Sequence, residues 1–106
     1  MEIRVLRYFL AIAREGSITA AAEYLHVTQP TLSRQIHDLE RQLGQKLFVR
    51  GSHMALTPAG MILRKRADEI VSMVDKTKLE FHVMENSIGG DIYIGGGETD
   101  AIKLIA

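Results

Sequence analysis

The stretch from residue 28 to residue 37 carries the side chains with the clearest chemistry. Apolar residues recur in it at helical spacing, so the remaining side chains belong to the opposite, outward side of a helix. All outward side chains near the helix start can form hydrogen bonds and none is acidic: Gln29, Thr31, Ser33, Arg34 and His37. Such a helix face matches the base edges and phosphates of double-stranded DNA, whose major groove admits an α-helix.

Arg34 is the residue that we expect to contact a base, because a guanidinium group forms two parallel hydrogen bonds with guanine O6 and N7. The alternative is an ion pair with Asp38, one turn further along the helix. Gln29 can bond an adenine edge or cap the helix, and Pro30 and Thr31 can contact a thymine methyl group or simply initiate the helix. The sequence alone leaves these alternatives open.

Other hydroxyl side chains are better suited to the DNA backbone than to the bases. We expect Thr28 and Ser33 to make phosphate or water-mediated contacts. Ser17 and Thr19 can reach a phosphate from the start of the preceding helix, although helix capping alone explains Ser17.

Three short helices position these side chains. Gly16 and Gly44 are suited to ending the first and third helices, while Ser17 and Thr28 are placed to cap the second and third. The predicted bounds are 2–15, 18–25 and 29–43. A tight turn between the second and third helices makes residues 18–37 a helix-turn-helix.

A short hairpin is predicted after the third helix. Residues 47–49 and 54–56 are strand-like, and residues 51–53 form the turn between them. Arg50 at the entrance to this hairpin is expected to contact a DNA phosphate. His53 is the only side chain near its tip that can become cationic.

A long fourth helix is predicted to begin at Thr57 and Pro58, as N-cap and first turn, and to extend to about Asn86. Side chains along it recur at alternating spacings of four and three, which is typical of a coiled-coil seam. The seam positions are Leu63, Ala67, Ile70, Val74, Thr77, Phe81 and Met84. They predict dimerisation with a second copy of the chain, and the alternative is that the helix packs on its own first domain.

The last twenty residues differ in composition from the helix before them. Gly89 and Gly90 predict a hinge, residues 91–94 a strand and residues 95–97 a turn, followed by the start of another helix at Thr99. One strand and part of a helix cannot form a sheet. We therefore interpret residues 87–106 as the first step of a second domain that the chain does not contain, and expect residues 88–106 to be disordered or packed on another copy.

Charge is distributed unevenly along the chain, although the formal net charge is zero. Residues 1–66 contain ten Lys and Arg against five Asp and Glu, a balance of +5, whereas residues 67–106 contain three against eight, a balance of −5. A basic first part suggests a polyanionic partner.

Several classes of protein are disfavoured by composition. The absence of cysteine excludes disulfides, thiol catalysis and cysteine-bound metals. The four histidines share no ligand spacing, and no nucleophile lies near a base, so we expect neither a metal, nor a cofactor, nor an enzyme. No apolar run is long enough to span a bilayer and the N-terminus is unlike a signal peptide, so we expect no membrane partner and a cytoplasmic location.

The run from Ile18 to Ile36, ITAAAEYLHVTQPTLSRQI, resembles the helix-turn-helix of LysR-type transcriptional regulators. Further matching segments follow in the order typical of that family, and the resemblance covers residues 1 to about 86. These segments are Leu39-Glu40, Leu43-Gly44, Leu47-Phe48, Arg50 and Leu56-Thr57-Pro58-Ala59-Gly60.

The resemblance implies a mainly α winged helix-turn-helix fold followed by a long dimerisation helix. Its domains would be a DNA-binding domain at 1–57, a linker helix at 58–86 and the truncated start of an effector-binding α/β domain at 87–106. The chain departs from the family in one place, because its hairpin is one residue shorter and lacks the usual basic pair at the tip.

The function that follows is sequence-specific DNA binding by a dimeric transcriptional regulator. The resemblance implies a partly palindromic operator with an AT-containing interrupted core, and a small-molecule effector only for a full-length form. The alternative is a helical dimerisation module that binds protein without reading DNA, or a short form that makes inactive heterodimers with full-length relatives.

Overall fold

Four helices and one hairpin make up the part of the protein that the structure, a computed structural model, describes, namely residues 1–89. In chain order the elements are α1 (Ile3–Glu15), α2 (Ile18–Leu25), α3 (Gln29–Leu43), β1 (Phe48–Val49), β2 (Ala55–Leu56) and α4 (Pro58–Gly89). The chain divides into two compact units, Met1–Ser72 and a second that begins at Met73.

The predicted helix caps are confirmed. Ser17 Oγ accepts a hydrogen bond from the Ala20 N–H at 3.2 Å, and Thr28 Oγ1 accepts one from the Thr31 N–H at 3.3 Å. Each bond satisfies one of the backbone donors that a helix start leaves without a partner. Gly44, with φ +69°, ends α3 in the left-handed conformation that glycine adopts most readily.

The first unit has one hydrophobic core, built where α1, α2 and α3 face one another. Phe9 of α1 is fully buried, and its ring lies 5.3 Å from the ring of Phe48 in β1, between centroids, with 46° between the planes. The largest fully buried side chains are Leu6, Phe9, Ile12, Leu32, Ile36, Leu39 and Leu47. Burial of each such side chain stabilises the fold by about 1.5–3 kcal/mol.

The hairpin is shorter than the sequence predicts, because each strand contains only two residues. Phe48 pairs with Leu56 and Val49 with Ala55 in antiparallel register. A two-stranded hairpin of this length is unstable by itself. Backbone bonds at both ends hold it in place: the Thr57 N–H donates to Leu47 O at 3.0 Å, and the Met54 N–H donates to Gly16 O at 3.1 Å.

The first turns of α4 belong to the core of the first unit. Leu63, Ala67 and Val71 are buried there, at positions four residues apart. This corrects the predicted seam at two positions, since Leu63 and Ala67 are covered by their own chain and are not available to a partner helix. Ile70, by contrast, is 36% exposed.

The end of α4 also differs from the prediction, since the helix continues to Gly89 and includes the first glycine of the expected hinge. The predicted strand at 91–94, the turn at 95–97, the helix start at Thr99 and the expected disorder or packing of the last residues fall outside the described part of the chain. None of the helices within residues 1–89 is long and apolar enough to cross a membrane.

Gly60 lies where α4 approaches the backbone of the β1 segment most closely. A Cβ atom on Gly60 would lie 2.2 Å from Leu47 O and 2.9 Å from Leu56 Cδ2. We therefore expect Gly60→Ala to lower the free energy of unfolding by about 1–3 kcal/mol, because helix or hairpin must shift to relieve the overlap. Urea denaturation measures the change.

Gly51→Ala is the matched control, because a Cβ atom there would meet only His53 O, at 3.9 Å. An unfolding midpoint for Gly60→Ala equal to that of the control would contradict the close packing.

Candidate nucleic-acid interface

Helix α3 presents the predicted hydrogen-bonding side chains to the outside. Leu32, Ile36 and Leu39 are buried against the core and fix the rotation of the helix about its axis. The exposed residues of the predicted set on α3 or at its N-cap are Thr28, Gln29, Pro30, Arg34 and His37, while Thr31 and Ser33 are half-buried. The predicted division of this helix into a buried and an outward side is confirmed.

Arg34 has no intramolecular partner within residues 1–89. The carboxylate of Asp38, with which a structural ion pair was the alternative, is instead paired with the guanidinium of Arg41. The five N–H donors of Arg34 therefore remain available to an external acceptor. Arg34 and Arg41 lie on the same helix, but only Arg41 is paired with a carboxylate of the protein.

The start of α3 is ordered by hydrogen bonds among its own side chains. Besides capping the helix, Thr28 donates its hydroxyl proton to Thr31 Oγ1 at 2.8 Å. The Thr19 hydroxyl of α2 donates to Gln29 Oε1 at 3.5 Å. This contact from α2 orients the Gln29 side chain through its amide oxygen, and the amide NH₂ group can donate to another acceptor.

The hairpin contributes Arg50 and His53, which are both exposed. No hydrogen bond within the described residues joins either side chain to α3. The hairpin tip is instead tied to the turn before α2 by the bond from the Met54 N–H to Gly16 O. The structure therefore brings Thr19 to Gln29, whereas the side chains of Arg50 and His53 themselves form no hydrogen bond with α3 within residues 1–89.

The other basic residues of the first unit differ in how far they are paired. Arg4, Arg14 and Arg66 form exposed ion pairs with Glu2, Glu15 and Glu69, at 3.0–3.1 Å. Such surface pairs contribute little to stability. Arg50, Arg64 and Lys65 make no ion pair within residues 1–89, so with Arg34 they form the cationic groups of this unit most available to an anion.

Sequence reasoning missed Glu40, whose carboxylate is buried beside the site. Its Oε2 accepts a hydrogen bond from the Leu47 N–H at 2.8 Å. One signal was present, since Glu40 follows Ile36 by four residues and so falls on the apolar side of α3. No group of residues that could hold a metal ion occurs in the described part of the chain.

Residues 3–61, more than half of the 106-residue chain, match the family described as "Bacterial regulatory helix-turn-helix protein, lysR family". The chain belongs to the LysR family. The resemblance found in the helix-turn-helix residues is thereby confirmed.

Curated LysR-type relatives are similar over nearly the whole chain. The HTH-type transcriptional regulator BsdA of Bacillus subtilis is 42% identical over 97 residues, which are 90% of this chain and 33% of the relative. A probable RuBisCO transcriptional regulator of Porphyra purpurea is 41% identical over 101 residues, which are 94% of this chain and 32% of the relative. The chain spans about a third of the length of these relatives.

Solved structures of LysR-type proteins share the fold. The BenM DBD/catB site 1 DNA complex matches with a TM-score of 0.77 and 42% identity, over 79% of this chain and 96% of that chain. Full-length CbnR complexed with its target DNA matches with a TM-score of 0.73 and 37% identity, over 77% of this chain and 29% of that chain. The predicted winged helix-turn-helix followed by a long helix is confirmed.

Proposed function

We propose that this chain is the DNA-binding part of a LysR-type transcriptional regulator and that α3 enters the major groove of a specific operator. The observation that carries the proposal is Arg34, which is exposed and has no internal partner within residues 1–89, while the carboxylate of Asp38, one turn further along α3, is bound by Arg41. The presence of DNA in the similar BenM and CbnR structures supports the same interpretation.

The side chains of α3 have different roles in this proposal. Arg34 contacts guanine O6 and N7 through two parallel hydrogen bonds. Gln29 donates its amide protons to a base acceptor, since Thr19 engages its oxygen. Pro30 and Thr31 lie against a thymine methyl group, whereas Ser33, Thr28 and His37 contact the backbone directly or through water.

The hairpin acts as the wing, with Arg50 and His53 on DNA phosphates. Because only Arg50 carries a permanent charge there, it provides most of the electrostatic attraction of the wing. The unpaired Arg64 and Lys65 add non-specific attraction from the start of α4.

In this proposal two copies of the chain form a dimer through α4. In the second unit the remaining seam positions Val74, Thr77, Phe81 and Met84 recur at helical spacing, and Phe81 is 65% exposed. The Thr77 hydroxyl donates to Met73 O at 2.7 Å, so it needs no other partner in an apolar seam. Two α3 helices related by a twofold axis would read a partly palindromic operator.

The setting of this function follows from the family. We expect a cytoplasmic location, as for a bacterial DNA-binding regulator. A small-molecule effector is expected to act on a full-length form. Catalysis has no place in the proposed function, and the curated relatives are regulators.

Selection from random duplexes tests the function directly. We expect the chain to enrich a specific sequence and to bind it about a thousandfold or more tightly than a scrambled duplex. Because several phosphates are neutralised, the affinity is expected to fall steeply as salt increases. Fluorescence anisotropy across a salt series measures both effects; equal binding to selected and scrambled duplexes would favour the protein-interaction module instead.

Replacement of Arg34 tests the proposed reading residue. Arg34→Ala should weaken operator binding by about 1–3 kcal/mol and relax the preference at one base position, because a bidentate contact is lost. Arg41→Ala is the matched control on the same helix, since its guanidinium is paired with Asp38. If Arg34→Ala kept both affinity and base preference, Arg34 would not be a reading residue.

Charges placed on the seam test the proposed dimer. Phe81→Asp with Met84→Asp should yield monomers and weaken operator binding, because carboxylates would be buried between two helices. Leu79→Asp with Val83→Asp is the control on the opposite side of α4, where Leu79 is 60% exposed. Sedimentation that shows the same mass for both double variants would contradict the seam.

A further inference from the structure

Glu40 is the only charged side chain that is buried in the described part of the chain, with 7% of the residue exposed. A buried carboxylate is costly unless hydrogen bonds or an opposite charge compensate for lost hydration. Here Oε2 accepts from the Leu47 N–H at 2.8 Å, and Oε1 lies 3.9 Å from Lys46 Nζ. The carboxylate therefore links the end of α3 to residues 46 and 47, which lead into β1.

The same residue holds the rest of that turn through its main chain. Glu40 O accepts from the Gly44 N–H at 2.8 Å and from the Gln45 N–H at 3.2 Å. Together with the bond to Leu47, one residue of α3 binds three N–H groups between Gly44 and Leu47. Of these three bonds, only the one from the Leu47 N–H to the carboxylate depends on the side chain of residue 40.

Leu47 is the residue to which this turn leads. Leu47 O accepts from the Thr57 N–H at 3.0 Å, and the Thr57 hydroxyl donates to Lys46 O at 2.6 Å. Gly60 of α4 packs directly on the same carbonyl. Helix α3, the wing and the start of α4 are therefore connected through the backbone of one residue, Leu47.

Few other polar interactions relate the wing to α3, although Leu47 and Phe48 are buried in the core that also contains Ile36 and Leu39. Within residues 1–89, the Glu40 carboxylate makes the only side-chain hydrogen bond from α3 to the segment 45–57. Phe48 packs its ring on Phe9, which belongs to α1. An open surface groove, lined in part by His37, Arg41 and Gln45, lies beside the turn.

We propose that Glu40 is a positioning residue for DNA binding, whose carboxylate sets the distance from the recognition helix to the wing by holding the Leu47 N–H. The inference rests on the proposed function, because it assumes that α3 and Arg50 of the wing contact the same DNA. Glu40 itself touches no DNA in this scheme. Loss of its hydrogen bond should remove the contribution of the wing while α3 continues to read bases.

Two variants of similar length separate the hydrogen bond from simple stability. Glu40→Gln keeps an oxygen acceptor for the Leu47 N–H and loses the charge. Glu40→Met loses the acceptor but fills the same space, and apolar replacements of buried charges are often tolerated well. Circular dichroism and urea denaturation establish the folded fraction of each before binding is measured.

Double-mutant cycles on the full chain provide the readout. In the wild-type background we expect Arg50→Ala to weaken operator binding by about fivefold, and in the Glu40→Met background by less than about twofold, because the wing is already displaced. With Glu40→Gln the full effect of Arg50→Ala should return. Arg34→Ala should weaken binding by the same factor in all three backgrounds.

Additive effects of Glu40→Met and Arg50→Ala would overturn the inference, and so would a Glu40→Gln protein that behaves like Glu40→Met. If Glu40→Met does not fold, Glu40→Asp takes its place, since its carboxylate is one methylene too short to reach the Leu47 N–H. A wild-type chain that binds no selected duplex would refute the proposed function, whereas normal binding with additive cycles would refute only the role of Glu40.

Discussion

The burial of Leu32, Ile36 and Leu39 is the constraint on which the candidate interface depends. These three side chains bind α3 to the core of the first unit, and because a helix has a fixed period they also decide which residues point away from it. Rotation of α3 about its axis would bury polar groups and expose apolar ones. Burial of the apolar side chains of α3 therefore keeps Arg34 and His37 on the outward side of the helix.

Some polar side chains around this core form hydrogen bonds within the protein, and others form none within residues 1–89. Ser17, Thr28 and Glu40 bind backbone N–H groups and thus stabilise the ends of helices and the turn into the wing. Arg34 and Arg50 form no internal bond within residues 1–89. The side chains of the first group stabilise the fold, and those of the second group can bind an external acceptor. Residue types alone do not separate the two groups, since Arg34 and Arg41 are both arginines and only Arg41 is paired.

Local patterns in the sequence were sufficient for the helices and for the division of α3 into a buried and an outward side. The caps at Ser17 and Thr28 and the period of α3 depend on residues a few positions apart, so the sequence contains all that is needed to recognise them. The seam at Leu63 and Ala67 was misassigned because a helical period indicates that a face is covered but not which chain covers it. Glu40 was missed because its partner, Leu47, lies beyond the end of its helix and is brought near only by the turn.

The burial of Leu63, Ala67 and Val71 has a mechanical consequence. Because the first turns of α4 are buried in the same core as α3, rotation of α3 about Thr57 relative to them would break that core. A reorientation of α3 would therefore carry residues 58–71 of α4 with it.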